Sequence, residues 1–104
     1  MKRDLLLASV DVTFDVCKKL ITAKNKDYSK EDDALSNFRK SESFGIKASQ
    51  GIMVRLSDKM ARIENLLVKD TSVEDENIVD TIHDAINYLA LLKECLLEEK
   101  ENGR

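Results

Sequence analysis

The sequence has no proline, no tryptophan, three glycines, one histidine and two cysteines in 104 residues. With glycine only at Gly45, Gly51 and Gly103, it offers little of the turn chemistry a sheet of short strands needs. It contains no glycine-rich phosphate loop. His83 stands alone, so neither a histidine-based metal cluster nor a triad using more than one histidine can be built. It sits beside acidic residues and is read as a surface or salt-bridging residue. Cys17 and Cys95 are too far apart for a metal-knuckle spacing, and both fall within apolar helical patterns. They are read as small core residues of a reduced, cytoplasmic protein. The start, from Met1 to Val10, briefly imitates a signal peptide, but Asp11 and Asp15 interrupt it. No stretch approaches the ~20 apolar residues of a membrane helix, so no membrane association is expected. A net charge of −3 disfavours direct, non-specific nucleic-acid binding, which relies on excess lysine and arginine.

What the chain has in quantity is Leu, Ile, Ala, Lys, Glu and Asp, a helical composition. The expected architecture is all-α and occupies a single domain, residues 1–104. It is a small bundle of two to four helices, with two long antiparallel helices in the C-terminal half. A chain of this size buries a small core, so assembly into a homo-oligomer is an expected supplement.

The segment from Asp75 to Leu92 organises the rest. Glu76, Asp80 and Asp84 recur every fourth residue and Asn87 follows, which puts an acidic ribbon on one side of a helix. Ile78, Ile82, Ala85, Ile86, Leu89 and Leu92 form the opposite side. From Tyr88 to Leu92 the helix is apolar nearly all round, so the ribbon is expected to run into a crevice.

A first helix is expected through Leu6, Val10, Phe14, Cys17 and Ile21, ending near Lys24. The polar stretch Lys24 to Asp33 reads as a loop that carries Tyr28 and the cations Lys24 and Lys26. Ala34 to Arg39 reads as a short helix or turn that packs Leu35 and Phe38 over the bundle as a lid. After a break at Gly45, with Ser49 as a cap, a long helix is expected from about Gln50 to Val68. Its apolar face is Ile52, Met53, Leu56, Met60, Ile63 and Leu67. Its polar stripe is Arg55, Asp58, Lys59, Arg62 and Asn65. Thr71 with Glu74, or Ser72 with Asp75, has capping-box spacing and places the start of the last helix near Val73. A connection this short makes the two long helices antiparallel neighbours. The charged end, Glu98 to Arg104, reads as a fraying surface tail.

Two stripes therefore face one another. Carboxylates at helical spacing suit magnesium, a hard cation that keeps several waters and bridges to phosphates. Arg55, Lys59 and Arg62 suit phosphate oxygens. The same residues could instead pair with one another as salt bridges between helices.

The stretches Lys24-Asn25-Lys26-Asp27-Tyr28, Asn37-Phe38-Arg39, Arg55-Leu56-Ser57-Asp58-Lys59-Met60-Ala61-Arg62, Asp75-Glu76, Asp80-Thr81 and Asp84-Ala85-Ile86-Asn87-Tyr88 together carry a family likeness. They resemble the nucleotide modification associated domain families of phage and prophage proteins. These in turn resemble the all-α MazG-like and dimeric dUTPase-like pyrophosphohydrolases. The resemblance implies an oligomeric bundle in the host cytoplasm that cleaves a nucleoside triphosphate to monophosphate and pyrophosphate with Mg2+. Such enzymes carry two acidic pairs on successive helices. Asp84 with Tyr88 matches the end of the second pair and the aromatic after it, Asp80 stands one position too early for the other member, whose place Thr81 takes, and Asp58 is alone on the earlier helix. Asp58, Glu76, Asp80 and Asp84 are then the expected catalytic and metal residues. Lys24, Arg55, Lys59 and Arg62 would meet phosphates, and Tyr28, Asn37 and Asn87 would orient base or sugar. The departures in the acidic pairs equally fit a protein that binds a nucleotide, or a nucleotide-derived molecule, without cleaving it. A purely structural helical oligomer with paired charge stripes is the third reading.

Overall fold

The computed structural model describes residues 1–69 and 76–103, the side chains of Glu76 and Asn77 excepted. Most of the described chain is helical, as its composition predicts. Helix α1 spans Arg3–Tyr28, a 3₁₀ segment spans Ser36–Phe44, α2 spans Ala48–Val68 and α3 spans Glu76–Glu101. Among the described residues, no helix is long and apolar enough to cross a membrane. The capping-box expectation around Thr71 to Asp75 falls outside the described residues.

Helix α1 runs one turn further than its apolar pattern predicts. Nothing in Asn25-Lys26-Asp27-Tyr28 breaks a helix, and Lys26 in the last turn suits the negative end of the dipole. The extra turn matters because it keeps Lys24 and Tyr28 on the face that carries Cys17 and Ile21. The expected loop therefore shrinks to 29–35. The Asn25 side-chain amide spans it by donating to the Ala34 carbonyl at 2.7 Å.

The 3₁₀ segment ends at Gly45, whose φ of 75° is the left-handed conformation glycine adopts without a Cβ penalty. Helix α2 begins directly afterwards, two residues earlier than expected. Ser49 is thus inside its first turn instead of being its cap. The Gln50 side chain accepts the Lys47 N–H at 3.0 Å. Ser49 turns inward, donating its backbone N–H and its hydroxyl to the Glu99 carboxylate at 3.1 and 2.7 Å. A negative charge from the far end of α3 therefore closes the start of α2, where unpaired N–H groups attract it. Glu99 is 5% exposed, so the expected surface tail is partly core.

Helices α2 and α3 form the main packing pair. Their contacts progress from Ser49 with Glu99, through Ala48 and Ile52 with Cys95, to Lys59 with Asp84. Leu35 and Phe38 of the connecting region, with Tyr88, Leu91 and Leu92 of α3, pack around the Ala48, Ile52 and Cys95 cluster. Ser41 comes close over Gly51, where an added Cβ would lie 3.1 Å from the Ser41 hydroxyl oxygen. Arg39 ties this layer down by bonding both Asp33 and Glu98.

Helix α1 meets the bundle through its second half. The Asn87 amide donates to the Cys17 carbonyl at 3.0 Å, and the Cys17 thiol faces the His83 carbonyl at 3.8 Å. The apolar faces drawn from the sequence are only partly covered. Ile52, Leu56, Ile78, Ala85 and Cys17 are buried, whereas Leu6, Val10, Phe14, Met53, Met60, Leu67, Ile82 and Leu89 are exposed. Hydropathy spacing marks which side of a helix is apolar, but not how far along its length a neighbour reaches.

Candidate functional site

The second half of α1, the 3₁₀ segment, α2 and α3 surround a hollow of about 410 Å³. Lys24 and Tyr28 come from α1, Asn37 and Phe38 from the 3₁₀ segment, Arg55 from α2, and Asp84, Asn87 and Tyr88 from α3. Its lining includes the apolar Ile21 and Leu91 and the polar Asn25, Asn37 and Asn87. The helical extension of α1 is what brings Lys24 and Tyr28 here. The Arg55 guanidinium lies 5.6 Å from the centre of the Phe38 ring, a cation–π placement between two residues of the lining.

Next to it is a smaller hollow of about 290 Å³ lined by Arg55, Asp58, Lys59, Arg62 and Tyr88. Three of these five side chains are cations on one face of α2, at positions 55, 59 and 62. Arg55 and Tyr88 line both hollows, so the two share a wall.

Asp84 is the electrostatic hinge of the arrangement. One of its oxygens lies 3.0 Å from Lys24 Nζ and the other 3.1 Å from Lys59 Nζ. Burial alone would push its carboxyl up, but hydrogen bonds from both lysines more than offset that and leave it below the usual carboxylate range. Asp84 thus pairs with Lys59 of the α2 stripe, one of the interhelical salt bridges the sequence allows, and also with Lys24 of α1.

Asp80 is exposed. Asp58 lines the smaller hollow, and the Glu76 side chain lies outside the described residues. Among the described residues, no three carboxylate, thiol or imidazole groups converge closely enough to hold a metal ion. The expected metal set joins Asp58 of α2 to Glu76, Asp80 and Asp84 of the ribbon, and its Glu76 side chain lies outside the described residues. Asp84 in particular has its charge engaged by ammonium groups.

Comparison with protein-family models, curated proteins and solved structures finds no match. The reading of the site rests on its own residues. Of the expected substrate-binding residues, Lys24, Tyr28, Asn37, Arg55 and Asn87 share the larger hollow, while Lys59 and Arg62 join Arg55 in the smaller one. Sequence reasoning gave no site role to Asn25, Phe38 or Tyr88. Phe38 and Tyr88 carried a signal, as large side chains beside polar ones at helical spacing, but were assigned to packing and to flanking the ribbon. Asn25 carried none, because its side chain acts across a turn that α1's periodicity does not describe.

Proposed function

We propose that this protein binds a nucleotide or nucleotide-derived molecule across the two hollows. Base and sugar occupy the larger hollow, and phosphates reach the basic one. The observation that carries this reading is the shared wall: Arg55 and Tyr88 border both an apolar, amide-lined hollow and a cationic one. A volume of about 410 Å³ lies in the range of small-molecule sites. Tyr28, Phe38 and Tyr88 offer flat faces for a base. Asn37 and Asn87 offer hydrogen bonds that orient it. Arg55, Lys59 and Arg62 supply the donors that match phosphate oxygens, and Lys24 can join them when it leaves Asp84.

Binding without turnover is the better-supported form. Both oxygens of Asp84 are engaged by lysines, which leaves this carboxylate less available to a metal ion. Hydrolysis to monophosphate and pyrophosphate, implied by the family resemblance, is the second form. In it, Asp58 and Asp84 are the carboxylates placed to meet a Mg2+ ion accompanying the phosphates, with Asp80 and Glu76 further along the same ribbon. Antiparallel packing of α2 and α3 is part of the proposal, since it sets the cations of one helix level with the Asp84 to Tyr88 turns of the other.

The test is to incubate the purified protein with a panel of canonical and modified nucleoside triphosphates and magnesium, following thermal shift and pyrophosphate release together. A thermal shift without pyrophosphate supports the binding form, and release abolished in Asp58→Asn supports the hydrolytic one. A panel that gives neither overturns the proposal.

A further inference from the structure

Two of the asparagines that line the larger hollow are tethered at one end. The Asn87 amide NH2 donates to the Cys17 carbonyl at 3.0 Å, and the Asn25 amide NH2 donates to the Ala34 carbonyl at 2.7 Å. A carbonyl oxygen only accepts, so each bond fixes which end of the carboxamide is nitrogen and which is oxygen. Among the described residues, neither Oδ1 accepts a hydrogen bond in return. Both residues are half-buried, and among the described residues no unpartnered side-chain oxygen or nitrogen of such a residue is sealed from solvent. The two Oδ1 atoms are therefore accessible acceptors on residues of the lining. Asn37 differs: its backbone N–H donates to the Ser29 hydroxyl at 3.3 Å, which leaves its carboxamide to turn either way.

We infer that the larger hollow selects a base carrying an exocyclic amino group, as cytosine and adenine do, over one that carries a carbonyl at that place or nothing. The inference rests on the nucleotide reading above and adds a polarity to it. An amino group brings N–H donors to the two oxygens. A base carbonyl there sets acceptor against acceptor, with both stripped of water and neither paired. The tethers matter as much as the oxygens. An untethered carboxamide rotates by half a turn and offers its NH2 to a carbonyl guest. At Asn25 and Asn87 that rotation breaks the bond to Ala34 or Cys17 and puts two carbonyl oxygens face to face. A site with its polarity fixed in this way discriminates by what the wrong guest leaves unpaired. Tyr28, Phe38 and Tyr88 do not supply that selection, because every base has a flat face to stack.

Titration calorimetry with two matched pairs tests it. Cytidine and uridine triphosphates exchange an amino group for a carbonyl, and adenosine and purine riboside triphosphates differ by deletion of the amino group. In each pair that binds, the amino-bearing member is expected to bind about tenfold more tightly. Equal or reversed affinity in such a pair overturns the inference and leaves the nucleotide reading standing, whereas no binding by any of the four overturns both. Asn25→Leu and Asn87→Leu keep the side-chain size and remove the oxygen, with helix content checked by circular dichroism. Each is expected to bring the ratio within a pair toward one, through weaker binding of the amino-bearing member. A residue that only tethers the fold weakens both members alike, so an unchanged ratio in both variants overturns the inference. The wild-type ratios decide it even where a variant loses its helical signal.

Discussion

Asp84 holds lysines from two different helices, Lys24 of α1 and Lys59 of α2, one on each carboxylate oxygen. Since α1 otherwise meets the bundle through few groups, this three-helix tie both locates α1 and stores two cations at the edge of the hollows.

Asp84→Asn removes the charge and keeps the shape. Lys24 is 56% exposed and its attraction is screened, while Lys59 is 30% exposed and loses a closer partner. The expected loss is about 1 kcal/mol of stability, a fall of a few degrees in Tm for a domain of this size. Anion binding should move the other way, because two cations are released. Inorganic pyrophosphate titrated without magnesium should bind more tightly to Asp84→Asn than to the wild-type chain. Weaker binding would mean that Asp84 does not compete with anions for the lysines.

Acid should weaken the fold through two carboxylates. Asp84 is held low by its lysines against the effect of burial, and Asp33 is held low chiefly by its hydrogen bond from Arg39. A carboxyl with a depressed folded-state pKa contributes stability that is complete above its unfolded value, about 3.9, and is lost as pH falls through the folded one. Urea midpoints are therefore expected to stay level down to about pH 5 and to drop below about pH 4. Asp84→Asn should reduce the steepness of that drop; an identical profile would show that the tie adds nothing.

The buried cap should be costly to break from either side. Glu99→Ala leaves the Ser49 N–H and hydroxyl without their acceptor in a dry setting, an expected loss of about 1 to 3 kcal/mol. Ser49→Ala removes one donor and should cost about 1 kcal/mol. The double variant should cost less than the sum, since both act on one interaction. Additive losses in denaturant melts would mean that the two residues do not meet.

Both cysteines should be inert in the folded chain. Cys95 is 1% exposed, and burial, followed by the negative charges of Glu99 and Glu98, pushes its thiol up to about 11. Burial likewise raises Cys17, with Asp84 adding to the effect. Because the thiolate is the reactive form, iodoacetamide at neutral pH should label neither at an appreciable rate until denaturant is added. Rapid labelling of Cys95 in the native state would contradict its place in the core.

Much of this fold was legible in the residues, and the limits are instructive. Absent proline and scarce glycine predict helices, and Gly45 marks the break before α2. The polar stripe at positions 55, 58, 59 and 62 does line a cleft. What periodicity cannot supply is the partner across space. Glu99 looks like part of a solvated tail until Ser49, fifty residues away, is seen to need an acceptor. Lys24 to Tyr28 reads as a loop because it is polar, yet no breaker interrupts it, and the helix continues far enough to build the hollow. Leu89 and Phe14 read as core, yet both are exposed, because spacing alone does not tell how far along a helix its neighbours reach.

Arg55 borders both hollows, where one nucleotide would span them. Titration calorimetry of the wild-type chain and Arg55→Ala with a nucleoside triphosphate, and with the matching nucleoside, tests it directly. Saturable binding of the triphosphate is expected. In Arg55→Ala the triphosphate should lose at least tenfold in affinity, equivalent to about 1.4 kcal/mol, while the nucleoside loses less. No heat of binding from any triphosphate, or equal affinity in Arg55→Ala, would contradict the assignment of the two hollows to one nucleotide.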